Sequence, residues 1–123
     1  MLTPSLAAIL YDFHKYAGHA SFLLPILVIV ICVLLKKRQP LLRLAPVLLD
    51  VQFTLGIMLW LLEKRTISLL HPLVMLVVLA LAHIAAKKEN PATVTALWLA
   101  VLGLMVLGML IARGKIFPGL WLV

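Results

Sequence analysis

The 123-residue chain has a single cysteine, four acidic residues and only 12% charged residues in all. Cys32, alone inside an apolar run, excludes an intrachain disulfide and a thiol pair for redox exchange, and leaves the compartment open. The shortage of acids gives a formal charge of +7. The eleven Lys and Arg nevertheless fall mostly in short clusters between apolar runs, where cations flank a bilayer rather than bind nucleic acid. The layout of a cleaved signal is missing too. No basic segment precedes the first apolar run, and Asp12 and Lys15 come late, so the mature chain is expected to begin at or near Met1.

What remains is hydrocarbon: 65% of residues are hydrophobic and the mean hydropathy is +1.20. No soluble domain of this length hides that much apolar surface in one core, so the chain reads as an integral membrane protein. Four apolar runs, residues 16–35, 41–62, 67–86 and 93–112, each approach the roughly 20 residues that cross a bilayer. Polar stops at Lys36-Lys37-Arg38-Gln39-Pro40, Glu63-Lys64-Arg65 and Lys87-Lys88-Glu89-Asn90-Pro91 separate them. Ahead of the first run, Thr3 can cap a helix and Pro4 can open it. Leu6, Ile9, Leu10 and Phe13 then share one face, predicting a short N-terminal interfacial helix that bends into the first span at Gly18. Pro25 is expected to kink that span. Thr66 or Ser68 can cap the third run, and residues 113–123, with Phe117, Pro118 and Trp121, read as an interfacial anchor. Gly103, Met105, Gly108 and Met109 would let a neighbour approach the fourth run, without strict GxxxG spacing.

Short connections force antiparallel neighbours, so the expected fold is all-α: a single domain forming an up-down-up-down four-helix membrane bundle, surrounded by membrane lipid. Both termini then share one side. Six cations (Lys36, Lys37, Arg38, Arg43, Lys87, Lys88) lie on the opposite side against five (Lys15, Lys64, Arg65, Arg113, Lys115) on the terminal side. That bias places both termini outside a multi-pass chain in the cell membrane. His19 precedes Lys36 by 17 residues and His71 precedes Lys87 by 16, each in a run closed by a basic pair and a proline. This correspondence is either an internal duplication or a chance match of common loop residues.

Intramembrane ionisable residues mark functional sites by default. His19 and His71 open two spans that run in the same direction, and in such a bundle these are diagonal partners, roughly 11 to 14 Å apart between axes. Two imidazoles with an iron between them fill that gap, the arrangement of bis-histidine haem b in a helical bundle. Gly18, with Ala17 and Ala20, would leave room for a porphyrin edge, and Met75 would pack on the macrocycle. Interhelical hydrogen bonds explain either histidine equally well without a cofactor. His14 can replace His19 as ligand if the helix bends at Gly18, or else it is interfacial. His83 lies near the other surface, where it would snorkel to the boundary. Asp50 needs a partner or a proton, with Arg43 available further back on nearly the same helix face. With Gln52 and Thr54 it could line a polar path between protomers. Met58, Met75, Met105 and Met109 are either packing or a soft metal site.

On these residues the chain resembles one half of a haem A synthase: Val51-Gln52-Phe53-Thr54-Leu55-Gly56 is similar to that family's span with glutamine and glycine at this spacing. His71-Pro72-Leu73-Val74-Met75 resembles a haem-ligating segment of cytochrome b561-type proteins. The resemblance implies haem held by His19 and His71 near the outer surface. Two departures stand against synthase chemistry: Tyr16 and Ser68 occupy the positions where the synthases carry glutamate three residues before a ligand, and the external cysteine pair is absent. The expectation is a small b-type cytochrome or haem-handling protein with a quinol or membrane redox partner, or an oxidase-assembly role, and a homo-oligomeric state. The other readings are a transporter or channel subunit built on Asp50, and a structural subunit of a larger complex.

Overall fold

The computed structural model describes residues 4–36, 41–62 and 69–113. All of the regular structure among them is helical: α1 (Pro4–Ser21), α2 (Leu23–Val28), a π-helical segment (Ile29–Leu34), α3 (Leu41–Leu62), α4 (Leu70–Ala86) and α5 (Pro91–Ala112).

The first three pieces form one helical rod. Pro25 has no N–H to offer the carbonyl of Ser21, and the winding tightens just before it, where Phe22 N–H donates to the His19 carbonyl at 3.3 Å. Ser21 Oγ donates to the Ala17 carbonyl at 2.7 Å in the same turn. Phe22, Val28 and Ile29 all keep helical dihedrals, so the interruption changes the winding without ending the rod. The last turn is wider, with Leu35 N–H reaching the Val30 carbonyl at 3.0 Å. Lys36 then turns left-handed at φ 59° and stops the rod, in the position where glycine normally sits.

The expected N-terminal interfacial helix is thereby corrected. Residues 4–15 run without a break into the rest of α1, and Gly18 is mid-helix rather than a bend. Its missing side chain serves a close approach instead: a Cβ there would lie 3.0 Å from Gln52 Nε2 of α3.

The expected second span and α3 coincide, with Pro46 accommodated inside the helix. The fourth starts two residues earlier than expected, at Pro91, because Asn90 caps it: the Asn90 side chain accepts from Ala92 N–H at 2.9 Å. Three helices are long and apolar enough to cross a membrane, Ala8–Cys32, Leu41–Leu61 and Pro91–Ala112, and α4 is a shorter apolar helix of 17 residues. The caps expected at Thr3, Thr66 and Ser68 and the anchor at 114–123 lie outside the described residues.

The helices pack in a ring. α1 lies on α3, α3 on α4 and α4 most extensively on α5, which returns to α2 and the π segment. Neighbours are antiparallel: His14 meets Gly56 while Gly18 meets Gln52, and His71, at the start of α4, meets Gly108 near the end of α5. Apolar lipid gives no hydrophobic drive between helices, so close van der Waals fit must hold them. The core supplies that fit by setting Ala45, Ala82 and Ala85 among Val28, Leu42, Val94, Val101 and the fully buried Trp98. Gly103 takes no part in it, since nothing lies within 4 Å of where its Cβ would be. Outside, Leu23, Leu34, Val47, Leu61, Leu76 and Leu99 stand exposed around the bundle, a belt suited to lipid and foreign to a soluble surface.

Candidate functional site

Two rows of contacts leave a space between them. Among the described residues α1 packs on α3 and α4 on α5, but α1 does not pack on α5. At the end of the bundle where α4 begins, a cavity of about 210 Å³ fills the gap, with His14, Gly18, His19, Gln52, His71 and Met75 in its wall. Six residues singled out from the sequence therefore share one cavity. A smaller one of about 80 Å³ adjoins it, and Tyr11, His14, Phe53, His71 and Met75 line both.

His71 is fixed by a backbone acceptor. Its Nδ1 lies 2.8 Å from the carbonyl oxygen of Gly108, and a carbonyl can only accept, so Nδ1 carries the proton. In the neutral ring Nε2 is then a lone pair, and the bond to Gly108 engages only Nδ1. Gly108 also leaves room for Met75: a Cβ there would collide with the terminal methyl of that side chain.

His14 lies across the diagonal. Its ring rests on Gly56, where a Cβ would be 2.7 Å from Cε1. Its backbone carbonyl accepts from Gln52 Nε2 at 2.6 Å, a bond that pins α1 to α3. Two buried polar atoms stay unpaired here among the described residues, His14 Nδ1 and Gln52 Oε1. Unpaired buried polar atoms cost free energy, about 1–3 kcal/mol each, and call for an explanation in function or an unseen ligand.

His19 is placed differently. It is exposed at the cavity rim, and its Nε2 lies 3.2 Å from a guanidinium nitrogen of Arg113. Arginine has no acceptor, so Nε2 must accept and its lone pair is engaged. Lys15, whose Nζ sits 5.8 Å from the Tyr16 ring centroid, completes a cationic rim with Arg113.

The proposed polar path divides. Gln52 faces the cavity, whereas Asp50 faces the outward flank and pairs with His83, not Arg43, at 2.9 Å. Thr54 Oγ1 donates to the Asp50 carbonyl at 2.9 Å. Gln52 is thus separated from Asp50 and Thr54 by the thickness of α3. Met75, Met105 and Met109 line the cavity, while Met58 is exposed. No cluster of three or more His, Cys, Asp or Glu occurs among the described residues.

Whether a haem fits can be judged from these atoms. The donor set suits it: a histidine held through Nδ1 by a carbonyl, which makes Nε2 the lone pair, is how a metal-ligating imidazole is normally oriented. The space is smaller than the roughly 300–1,000 Å³ of an established cofactor pocket, so side chains must move. Three of those lining it are methionines, the most adaptable apolar side chains.

Sequence reasoning missed Arg113 and Lys15 as rim residues and Tyr11 and Phe53 as walls. Only the offset of α1 from α5 brings these together, and residue spacing within a helix carries no trace of it.

The fold defines a multi-pass, all-α membrane protein with a cavity at one end. No family model matches the chain, and no curated protein or solved structure matches it either.

Proposed function

We propose that this protein is a small b-type haem protein of the cell membrane, with four passes and both termini outside. His71 is its principal iron ligand. The observation carrying this reading is the His71–Gly108 bond, which spends Nδ1 on a backbone carbonyl and so makes Nε2 the lone pair of a ring that lines the cavity. The second imidazole comes from α1. The sequence favoured His19 for that part, but the arrangement of side chains favours His14, whose ring has an unpaired Nδ1 and shares both cavities with His71, whereas His19 is held by Arg113.

Haem, when bound, supplies one-electron chemistry, and bis-imidazole ligation and burial tune its potential. The residues of this chain do the rest. Gly108 fixes the His71 ring, Gln52 locks α1 against α3, and Phe53, Val78 and Leu79 keep water from the cavity. The electrons would pass between a quinol or other membrane partner and an acceptor at the outer surface, or the haem would be held for an oxidase-assembly step.

The test is the haem content of protein purified from haem-sufficient membranes, measured per chain together with the Soret band. Wild type and His19→Ala are expected to retain haem, and His71→Ala and His14→Ala to lose most of it. A correctly folded wild-type protein that neither contains haem nor takes it up would overturn the proposal.

A further inference from the structure

The cavity's chemistry is polarised. Its interior is mostly apolar, with Leu49, Phe53, Val78 and Leu79 beside His14, Gln52 and His71, while the exposed Lys15 and Arg113 complete the lining. No acidic side chain among the described residues lines it. Among the described residues α1 and α5 do not pack on each other, which leaves a gap between these two helices beside the cavity. Arg113 is bonded to the His19 ring at 3.2 Å. A neutral imidazole is a modest partner for a guanidinium, and a carboxylate offers a shorter, charge-assisted and bidentate bond.

We infer that the site takes an amphipathic carboxylate: an apolar body enters between α1 and α5, and its carboxylate exchanges with His19 for the Arg113 guanidinium, with Lys15 adding a second cation. The exchange releases His19 Nε2. Arg113 is thus the anchor that selects ligands bearing an acid group. Two sources share this chemistry, a haem with its propionates and a membrane fatty acid. The inference rests on the proposed haem role only for the choice between them.

The experiment is a titration of the full chain in lipid nanodiscs with three probes: hemin, hemin dimethyl ester and oleate. Binding is followed by quenching of tryptophan fluorescence and, for the two haem probes, by the Soret shift. Wild type is expected to bind hemin at least ten times more tightly than the ester. Arg113→Gln should erase that preference, and Arg113→Lys should keep part of it. Circular dichroism checks that both variants stay folded. Equal affinity for acid and ester in wild type overturns the inference, and a Soret shift retained under that condition leaves the haem role standing without it. Oleate binding that depends on Arg113, with no Soret shift from hemin, supports the inference and removes the haem role. Failure of every probe to bind overturns both.

Discussion

His83 Nε2 sits 3.0 and 2.9 Å from the two carboxylate oxygens of Asp50, tying α4 to α3 on the outward flank of the bundle. Both side chains are close to half exposed, 49% and 42%, and their surroundings on that flank include Val47, Val51 and Ile84. Removing the imidazole alone strands a carboxylate midway along α3 on the outward flank, where an unpaired charge in lipid costs up to about 2.5–3.5 kcal/mol. His83→Ala is therefore expected to lower stability more than the double variant Asp50→Asn/His83→Ala, by about 1 kcal/mol. A double-mutant cycle of unfolding in nanodiscs measures this. Identical losses would show that the stranded carboxylate costs no more than an asparagine.

Gly56 and Gly108 each admit a side chain from the facing helix, but the two intruders differ. At Gly56 it is the stiff His14 ring, and at Gly108 the flexible end of Met75. Overpacking costs about 1–3 kcal/mol where the neighbour cannot yield. Gly56→Ala should fall in that range and weaken hemin binding by displacing His14, with Gly108→Ala milder in stability. Thermal unfolding of both variants in one detergent compares them, and the reverse order would contradict these contacts.

Trp98 is fully buried in the core, and its Nε1 has no hydrogen-bond partner among the described residues. Truncation to alanine should cost about 3–5 kcal/mol. Trp98→Phe removes an unpaired donor together with some volume, so it should cost far less, about 1 kcal/mol. Unfolding midpoints of the two variants check the ratio. If phenylalanine proves as damaging as alanine, the indole N–H has a partner.

Lys36 holds a left-handed backbone with no glycine to ease it. Lys36→Gly is expected to stabilise the end of the first rod, by up to about 1 kcal/mol. Hydrogen exchange of the amides from Ile29 to Leu35 reads the effect locally. Faster exchange in the variant would mean that the lysine side chain contributes more than the strain it causes.

Much of the fold is legible in hydropathy alone, because the stretches between polar stops are long and their connections short. Residues 41–62 are helical from end to end as expected. The N-terminal rod is less readable: the apolar stripe of Leu6, Ile9, Leu10 and Phe13 fits either an interfacial helix or the outer face of a continuous one, and only packing against α3 decides. Gly18 reads as a bend because glycine weakens isolated helices, yet here its lack of a Cβ admits Gln52. At the site, the diagonal relation of the first rod to α4 follows from counting passes. Which histidine on that rod belongs beside His71 does not, since it depends on how far α1 is shifted along α3, fixed by the 2.6 Å bond from Gln52 to the His14 carbonyl. The Asp50–His83 pair is hidden for the same reason: it links residues 33 apart on two helices whose relative height no local pattern encodes.

Haem binding by this bundle stands or falls with the Nε2 atom of His71 as a ligand. The reduced-state absorption spectrum of hemin-loaded wild type, recorded beside that of His71→Ala, tests it most directly. The prediction is a sharp α band in wild type, from iron held by two imidazoles, and its loss in the variant with the helical content unchanged. An α band of the same position and intensity in both proteins would contradict it.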